Sequence, residues 1–173
     1  MIDLIIKDGF LPFPNVIRSW ALSQEYYTCE EYSKIIGYEN NWPGKRTKKI
    51  NVLDQEYADI ILNNFCNLVH HSFGLDDDIE ISSCFQLTLE EDGDSWIHMD
   101  NDVKIAAVLY LTPDAPFECG TTLYSNSPHV PIDVIGNVYN RLIIYRSNIF
   151  HKSTKYFGTN KETGRLTQVF FIS

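Results

Sequence analysis

Three side chains in the C-terminal half of this sequence have the types and the order of a metal site. His98-Met99-Asp100 lies in a run, residues 95–100, that reads as a strand. Residues i and i+2 of a strand project to one face, so imidazole and carboxylate would point together. His151, in the short loop beyond the predicted strand 140–146, is the best placed third ligand. Two histidines and a carboxylate make a facial triad, which leaves positions open for a chelating co-substrate and dioxygen; a structural site would close around its ion. His129, in Ser127-Pro128-His129-Val130-Pro131, is the other candidate, with no strand end to position it. An HxD pair alone arises by chance in many sequences.

Arg165 opens the predicted strand 165–172 and shares a face with Thr167, Val169 and Phe171. A guanidinium turned into a barrel is costly unless it meets an anion. Arginine offers a planar, two-point fork to a dicarboxylate. The same residue at a strand edge after Gly164 would simply face solvent, and the residues alone admit both readings.

The elements that must hold these groups fall into two parts. Residues 2–6 read as a short strand. After Pro12 and Pro14, Asn15 is placed to cap a helix that buries Phe13, Val16, Ile17, Trp20 and Ala21. A second helix starts near Asp54, with Ala58, Ile61, Leu62, Phe65 and Val69 on one face and Gly74 as its stop. Between them lies a loop containing Trp42-Pro43-Gly44-Lys45-Arg46-Thr47. From about residue 77 the period changes to two: Ile79, Ile81, Phe85, Leu87 and Leu89 alternate with Glu80, Ser82, Cys84, Gln86 and Thr88. Further strands are predicted over 95–100, 104–112, 119–124, 140–146 and 165–172, with Asp92-Gly93, Pro113-Asp114 and Gly164 as turns. Helices in front of many short strands predict a β-sandwich or barrel backed by helices.

Composition narrows the function. A net charge of -9 repels phosphate backbones, which disfavours nucleic acid as substrate. The one basic cluster, Lys45, Arg46, Lys48 and Lys49, reads as a solvated loop. Cys29, Cys66, Cys84 and Cys119 are widely spaced and read as reduced thiols. No apolar run has the length of a membrane span, and the N-terminus lacks a signal-peptide pattern, so a cytoplasmic protein is expected. His70 and His71 read as surface or capping residues, and Trp96 as core. Asp76-Asp77-Asp78 lacks calcium-loop spacing, and Glu90, Glu91, Asp92 and Asp94 read as a solvated turn. No GxSxG, P-loop or GxGxxG is present. The oligomeric state leaves no signature.

Read in order, His98-x-Asp100, Tyr110-Leu111-Thr112, Cys119-Gly120-Thr121-Thr122-Leu123-Tyr124, His151 and Arg165 resemble the Fe(II)- and 2-oxoglutarate-dependent oxygenases, in particular their prolyl-4-hydroxylase-like branch. The resemblance spans roughly residues 84–172. It implies a mainly β (α+β) chain: a double-stranded β-helix, or jelly roll, with N-terminal helices packed on one sheet. It implies one domain over 1–173, helical over about 1–75 and jelly roll over about 77–172. His98, Asp100 and His151 would hold Fe(II) as the catalytic centre, with 2-oxoglutarate and dioxygen as co-substrates. Arg165 and Tyr110 would meet the distal carboxylate of 2-oxoglutarate, with Thr167 adding a hydroxyl; Tyr110 reads equally as a core aromatic. Cys84, Gln86 and Thr88 would line the pocket, with the loops at Trp42–Thr47 and Glu118 over its mouth.

The sequence departs from the family pattern in three places. Thr88, itself a cofactor-binding candidate, stands where the family often has a tyrosine. Cys119 and Thr121 replace glycine-like and acidic positions, and Arg165 replaces the lysine common in prolyl-hydroxylating members. The implied activity is hydroxylation of an aliphatic C–H in a peptidyl side chain such as proline. The alternatives are a free amino acid or other small metabolite and, from another class, a non-catalytic cupin-like binding or structural protein.

Overall fold

The strand Arg165–Ile172 (β10) lies at the middle of the main sheet and separates two cores. Its even positions Leu166, Phe170 and Ile172 face the helices, while Phe171 turns to the opposite side. The computed structural model describes residues 4–39, 41–74, 79–126 and 129–173. Ile2 and Asp3 of the predicted first strand, the Asp76–Asp78 run, and Ser127 and Pro128 lie outside the described residues.

The other strands are Leu4–Lys7 (β1), Tyr27–Thr28 (β2), Lys45–Arg46 (β3), Ile81–Thr88 (β4), Ile105–Tyr110 (β5), Thr121–Tyr124 (β6), Pro131–Ile135 (β7), Leu142–Arg146 (β8) and Phe150–Ser153 (β9). They form an antiparallel seven-stranded sheet, β1-β8-β5-β10-β4-β3-β2, and a three-stranded sheet, β7-β6-β9. This is the jelly-roll arrangement expected, with two differences. Residues 95–100 form no strand; a single antiparallel bridge, His98 to His151, continues the small sheet beyond β9. And beyond the expected first strand, β2 and β3 extend the large sheet at its other end, so further strand interrupts the helical front part.

The helices are Pro14–Ser23 (α1), Cys29–Ile36 (α2), Ile50–Leu53 (α3) and Gln55–Phe73 (α4). In α4 the Asp54 carboxylate accepts the Tyr57 amide at 2.9 Å, and Gly74 closes the helix at φ 62. Its face of Ala58, Ile61, Phe65, Val69 and Phe73 is buried, and Phe65 stacks on Phe170 with ring centroids 4.6 Å apart. In α1, Pro14 occupies the first turn and Phe13 the cap, so the expected Asn15 cap is displaced into the helix. Phe13 and Val16 are consequently exposed, at 71% and 64%, while Trp20 meets Phe85 edge-on at 5.4 Å. A short polar helix was not expected between them: α2 has no buried residue and is held by a capping box between Thr28 and Glu31.

The second core lies between the sheets and is built from Ala106, Tyr110, Leu123, Ile135, Ile143 and Tyr145. It occupies only part of that space. The rest is the cavity described next.

Candidate metal and anion site

The small sheet and the chain before β5 bring the predicted ligands together. His98 and His151 are paired through their backbones, and their ring centroids lie 4.4 Å apart. Asp100 reaches between them: Oδ1 is 3.8 Å from His98 Nε2, and Oδ2 is 3.4 Å from His151 Nε2. One ligand atom from each of the three lies within 4.8 Å of the others. Ligand atoms about 2 Å from an ion lie roughly 3–4 Å from one another, which the carboxylate–imidazole spacings match.

The tautomers follow from the partners. His98 Nδ1 meets the Trp96 carbonyl at 3.0 Å and His151 Nδ1 meets the Ile149 carbonyl at 2.9 Å. A carbonyl only accepts, so both Nδ1 atoms carry the proton and both Nε2 lone pairs are free for a metal. Burial holds the His98 imidazole below its ordinary pKa, against the pull of the Trp96 carbonyl. Burial alone would raise the Asp100 carboxyl. Its nearness to His151, His98 and Arg46 outweighs that, and holds Asp100 below the usual carboxylate range. A neutral imidazole beside an ionised carboxylate is the state a metal ion requires.

A cavity of about 510 Å³ opens over this triad. At its inner end lies Arg165, 3% exposed. Its Nε donates to the Cys119 carbonyl and one terminal nitrogen to the Gly120 carbonyl, both at 3.3 Å. Among the described residues no carboxylate pairs with it. Burying a cation among neutral partners is costly, and an anion reaching the guanidinium would offset that cost.

The sequence matches no protein-family model and no curated protein. The structure, by contrast, resembles solved ones over nearly its whole length. A Pseudomonas putida prolyl-4-hydroxylase superposes with a TM-score of 0.60 at 17% identity, over 98% of this chain and 91% of that one. HygX of Streptomyces hygroscopicus, solved with nickel and 2-oxoglutarate bound, gives 0.70 at 10% identity, over 99% and 82%. The fold is that of the Fe(II)- and 2-oxoglutarate-dependent oxygenases. A Trichoplax adhaerens prolyl hydroxylase in complex with a peptide fragment shares the oxygenase fold, at 0.57 and 13% identity over 98% and 83%.

Within the oxygenase fold of this chain, the other predicted residues divide. Tyr110 is fully buried beside Arg165, whose guanidinium carbon lies 5.5 Å from its ring centroid. Its hydroxyl shares a 2.7 Å hydrogen bond with Thr121, and burial raises its pKa, keeping the phenol protonated. Thr167 is buried on the Arg165 face and donates to the Gln86 carbonyl at 3.4 Å. Thr88 pairs opposite Arg165 in the β4–β10 ladder, and its buried hydroxyl has no partner. None of these three lines the cavity; Gln86, Thr121 and Arg165 do. His129 packs on Phe150 at 4.4 Å and takes no part in the triad. Glu118 is exposed and does not line the cavity.

Three residues were misread or missed. Trp96, expected in the core, is 43% exposed and lines the cavity beside His98. Tyr145, on the inward face of β8, stands 4.7 Å from the His151 ring; the alternation of the predicted strand 140–146 could have placed it. Arg46, expected in a solvated loop, is half-buried in the cavity wall because β3 pairs with β4, putting it opposite Gln86. Among the described residues no helix is long and apolar enough to cross a membrane.

Proposed function

We propose that this protein is an Fe(II)- and 2-oxoglutarate-dependent dioxygenase that hydroxylates an aliphatic C–H. The observation that carries the proposal is the pairing, in one cavity, of an open His-Asp-His triad with a buried arginine that has no carboxylate partner among the described residues. His98, Asp100 and His151 would hold the iron by one face, and Arg165 would hold the distal carboxylate of 2-oxoglutarate, with Tyr110 buried behind it and bonded to Thr121 in the cavity wall. When bound, the metal, 2-oxoglutarate and dioxygen supply the oxidising chemistry: one oxygen atom enters the C–H to give an alcohol, the other leaves in succinate, and carbon dioxide is released.

The chain's own residues orient and shelter that chemistry. The two backbone carbonyls fix the imidazole tautomers. Tyr145, Trp96 and Tyr156 wall the cavity and limit water around the reacting groups. For the substrate we propose a peptidyl side chain, proline being the family expectation; the likeness to a prolyl hydroxylase solved with a peptide supports it. A cavity of about 510 Å³ is also of the size that holds a whole small molecule, so a free amino acid or similar metabolite is the second reading.

The test is succinate formation from 2-oxoglutarate under air with Fe(II), followed by NMR, with proline-containing peptides in one series and free amino acids in another. Stimulation by one series assigns the substrate class. Binding of 2-oxoglutarate with no succinate formed in any series would favour the non-catalytic reading instead.

A further inference from the structure

Arg46 is a second cation in the same cavity, built as carefully as the first. Two of its guanidinium nitrogens, Nε and one terminal, donate to Gln86 Oε1 at 3.3 and 3.1 Å. Gln86, 8% exposed, is itself held by the Pro43 carbonyl at 3.0 Å. The guanidinium carbon lies 4.6 Å from the Trp42 ring centroid and 5.7 Å from that of Phe171. Arg46 is therefore fixed in direction and partly stripped of water by aromatic faces. Among the described residues no carboxylate pairs with it. In the same wall, the Trp42 indole N–H is buried without an acceptor.

The charge of the cavity makes this cation informative. Among the described residues, Arg46 and Arg165 are the only arginine or lysine side chains lining it. A divalent ion, Asp100, dianionic 2-oxoglutarate and Arg165 together cancel, which leaves Arg46 as one positive charge. Asp102 also lines the cavity but is exposed, and its charge is screened by solvent. We infer that Arg46 recognises a carboxylate on the substrate, so that the protein acts on a molecule carrying an anionic group rather than on a neutral one.

This rests on the oxygenase reading above. The shared chemistry is a carboxylate, supplied either by a small carboxylic acid or by an acidic side chain of a peptide.

The test uses the full chain loaded with Zn(II) and 2-oxoglutarate, which is diamagnetic and inactive, with ¹⁵N NMR of the arginine Nε–H groups. The Arg46 signal is assigned by its loss in Arg46→Gln. Propionate, propionamide and an N-acetylated, amidated Gly-Glu-Gly peptide are titrated in turn. The expected result is a saturable shift of the Arg46 signal with propionate, with the peptide or with both, and none with propionamide. Whichever carboxylate binds tighter identifies the source. Arg46→Lys, observed through the Trp42 indole N–H, should bind about tenfold more weakly, consistent with loss of the two-point fork. No saturable shift with either carboxylate, or an equal shift with propionamide, overturns the inference. A calorimetric titration of 2-oxoglutarate on the same sample separates the two levels. If 2-oxoglutarate itself fails to bind, the oxygenase reading fails; if it binds and Arg46 does not respond, only this inference does.

Discussion

His98 and His151 exchange both backbone hydrogen bonds, amide to carbonyl at 3.0 and 2.9 Å, across the one bridge that joins residues 95–100 to the small sheet. Residues paired in this way turn their side chains to the same face. The bridge thus does for the metal ligands what a full strand would do, with far less backbone to hold it.

A metal ion should therefore stabilise this segment more than the rest of the chain. At a hundredfold excess over the dissociation constant, Mn(II) or Zn(II) adds about 2.7 kcal/mol. For a chain of this size that raises Tm by roughly 5–10 °C. A chelator should reverse the gain, His98→Ala should abolish it, and the His98 amide should exchange more slowly with metal bound. An ion that leaves Tm and this amide unchanged is not bound here.

Arg165→Met separates binding from stability. The Gly120 carbonyl also accepts the Thr154 amide at 3.0 Å, and the Cys119 carbonyl accepts the Asn137 side chain at 3.2 Å, so removing the guanidinium orphans neither. The ligand-free variant should be as stable as the parent or more stable, by about 1 kcal/mol, because a buried unpaired charge is gone. Its affinity for 2-oxoglutarate should fall by at least about thirtyfold, from losing a buried charge partner. Urea melts and calorimetry measure the two.

Gly44 sets the approach of β3 to β4. Its φ is +67, and an added Cβ would lie 2.3 Å from the Leu87 carbonyl oxygen. Gly37 has a similar φ of +81 but open space around it. Gly44→Ala should cost about 2–3 kcal/mol, from strain plus clash, while Gly37→Ala should cost about 1 kcal/mol, from strain alone. Equal costs in chemical denaturation would mean that β3 moves freely away from β4.

The pairing of Asp8 with Arg141 gives the pH dependence. Arg141 donates to both Asp8 oxygens, at 2.6 and 2.9 Å, and this hydrogen bonding holds the Asp8 carboxyl below its ordinary 3.8. A depressed folded-state pKa contributes stability above the unfolded value and loses it as pH falls through the folded one. Asp8 is largely exposed, so Asp8→Asn should cost only about 0.5 kcal/mol at pH 7. That difference should fall away as pH drops through the lowered folded-state value, beneath the ordinary 3.8. A difference that persists there would have another origin.

Much of this was legible in the sequence where a period was clean. The alternation in β10 assigned Arg165 and Phe171 to one side and Phe170 to the other, and the helical period of α4 gave its buried face. The rest depended on long-range pairing. Residues 95–100 have a strand-like composition, but only His98 forms a β-bridge, while the Asp100 amide reaches the Ser147 carbonyl in the turn after β8. Lys45 and Arg46 look like half of a solvated basic run, and only their pairing with Leu87 and Gln86 turns Arg46 into the cavity. Trp96 has the composition of a core residue, yet no strand exists there to turn it inward.

The most direct test of the central claim is the visible spectrum of the protein with Fe(II) and 2-oxoglutarate under strict exclusion of oxygen. Chelation of the co-substrate on iron at the triad should give a weak charge-transfer band in the parent. His98→Ala and Asp100→Ala should each lose it, and Arg165→Met should require far more 2-oxoglutarate to reach it. No band in the parent, or a band unchanged in both ligand variants, would contradict the account.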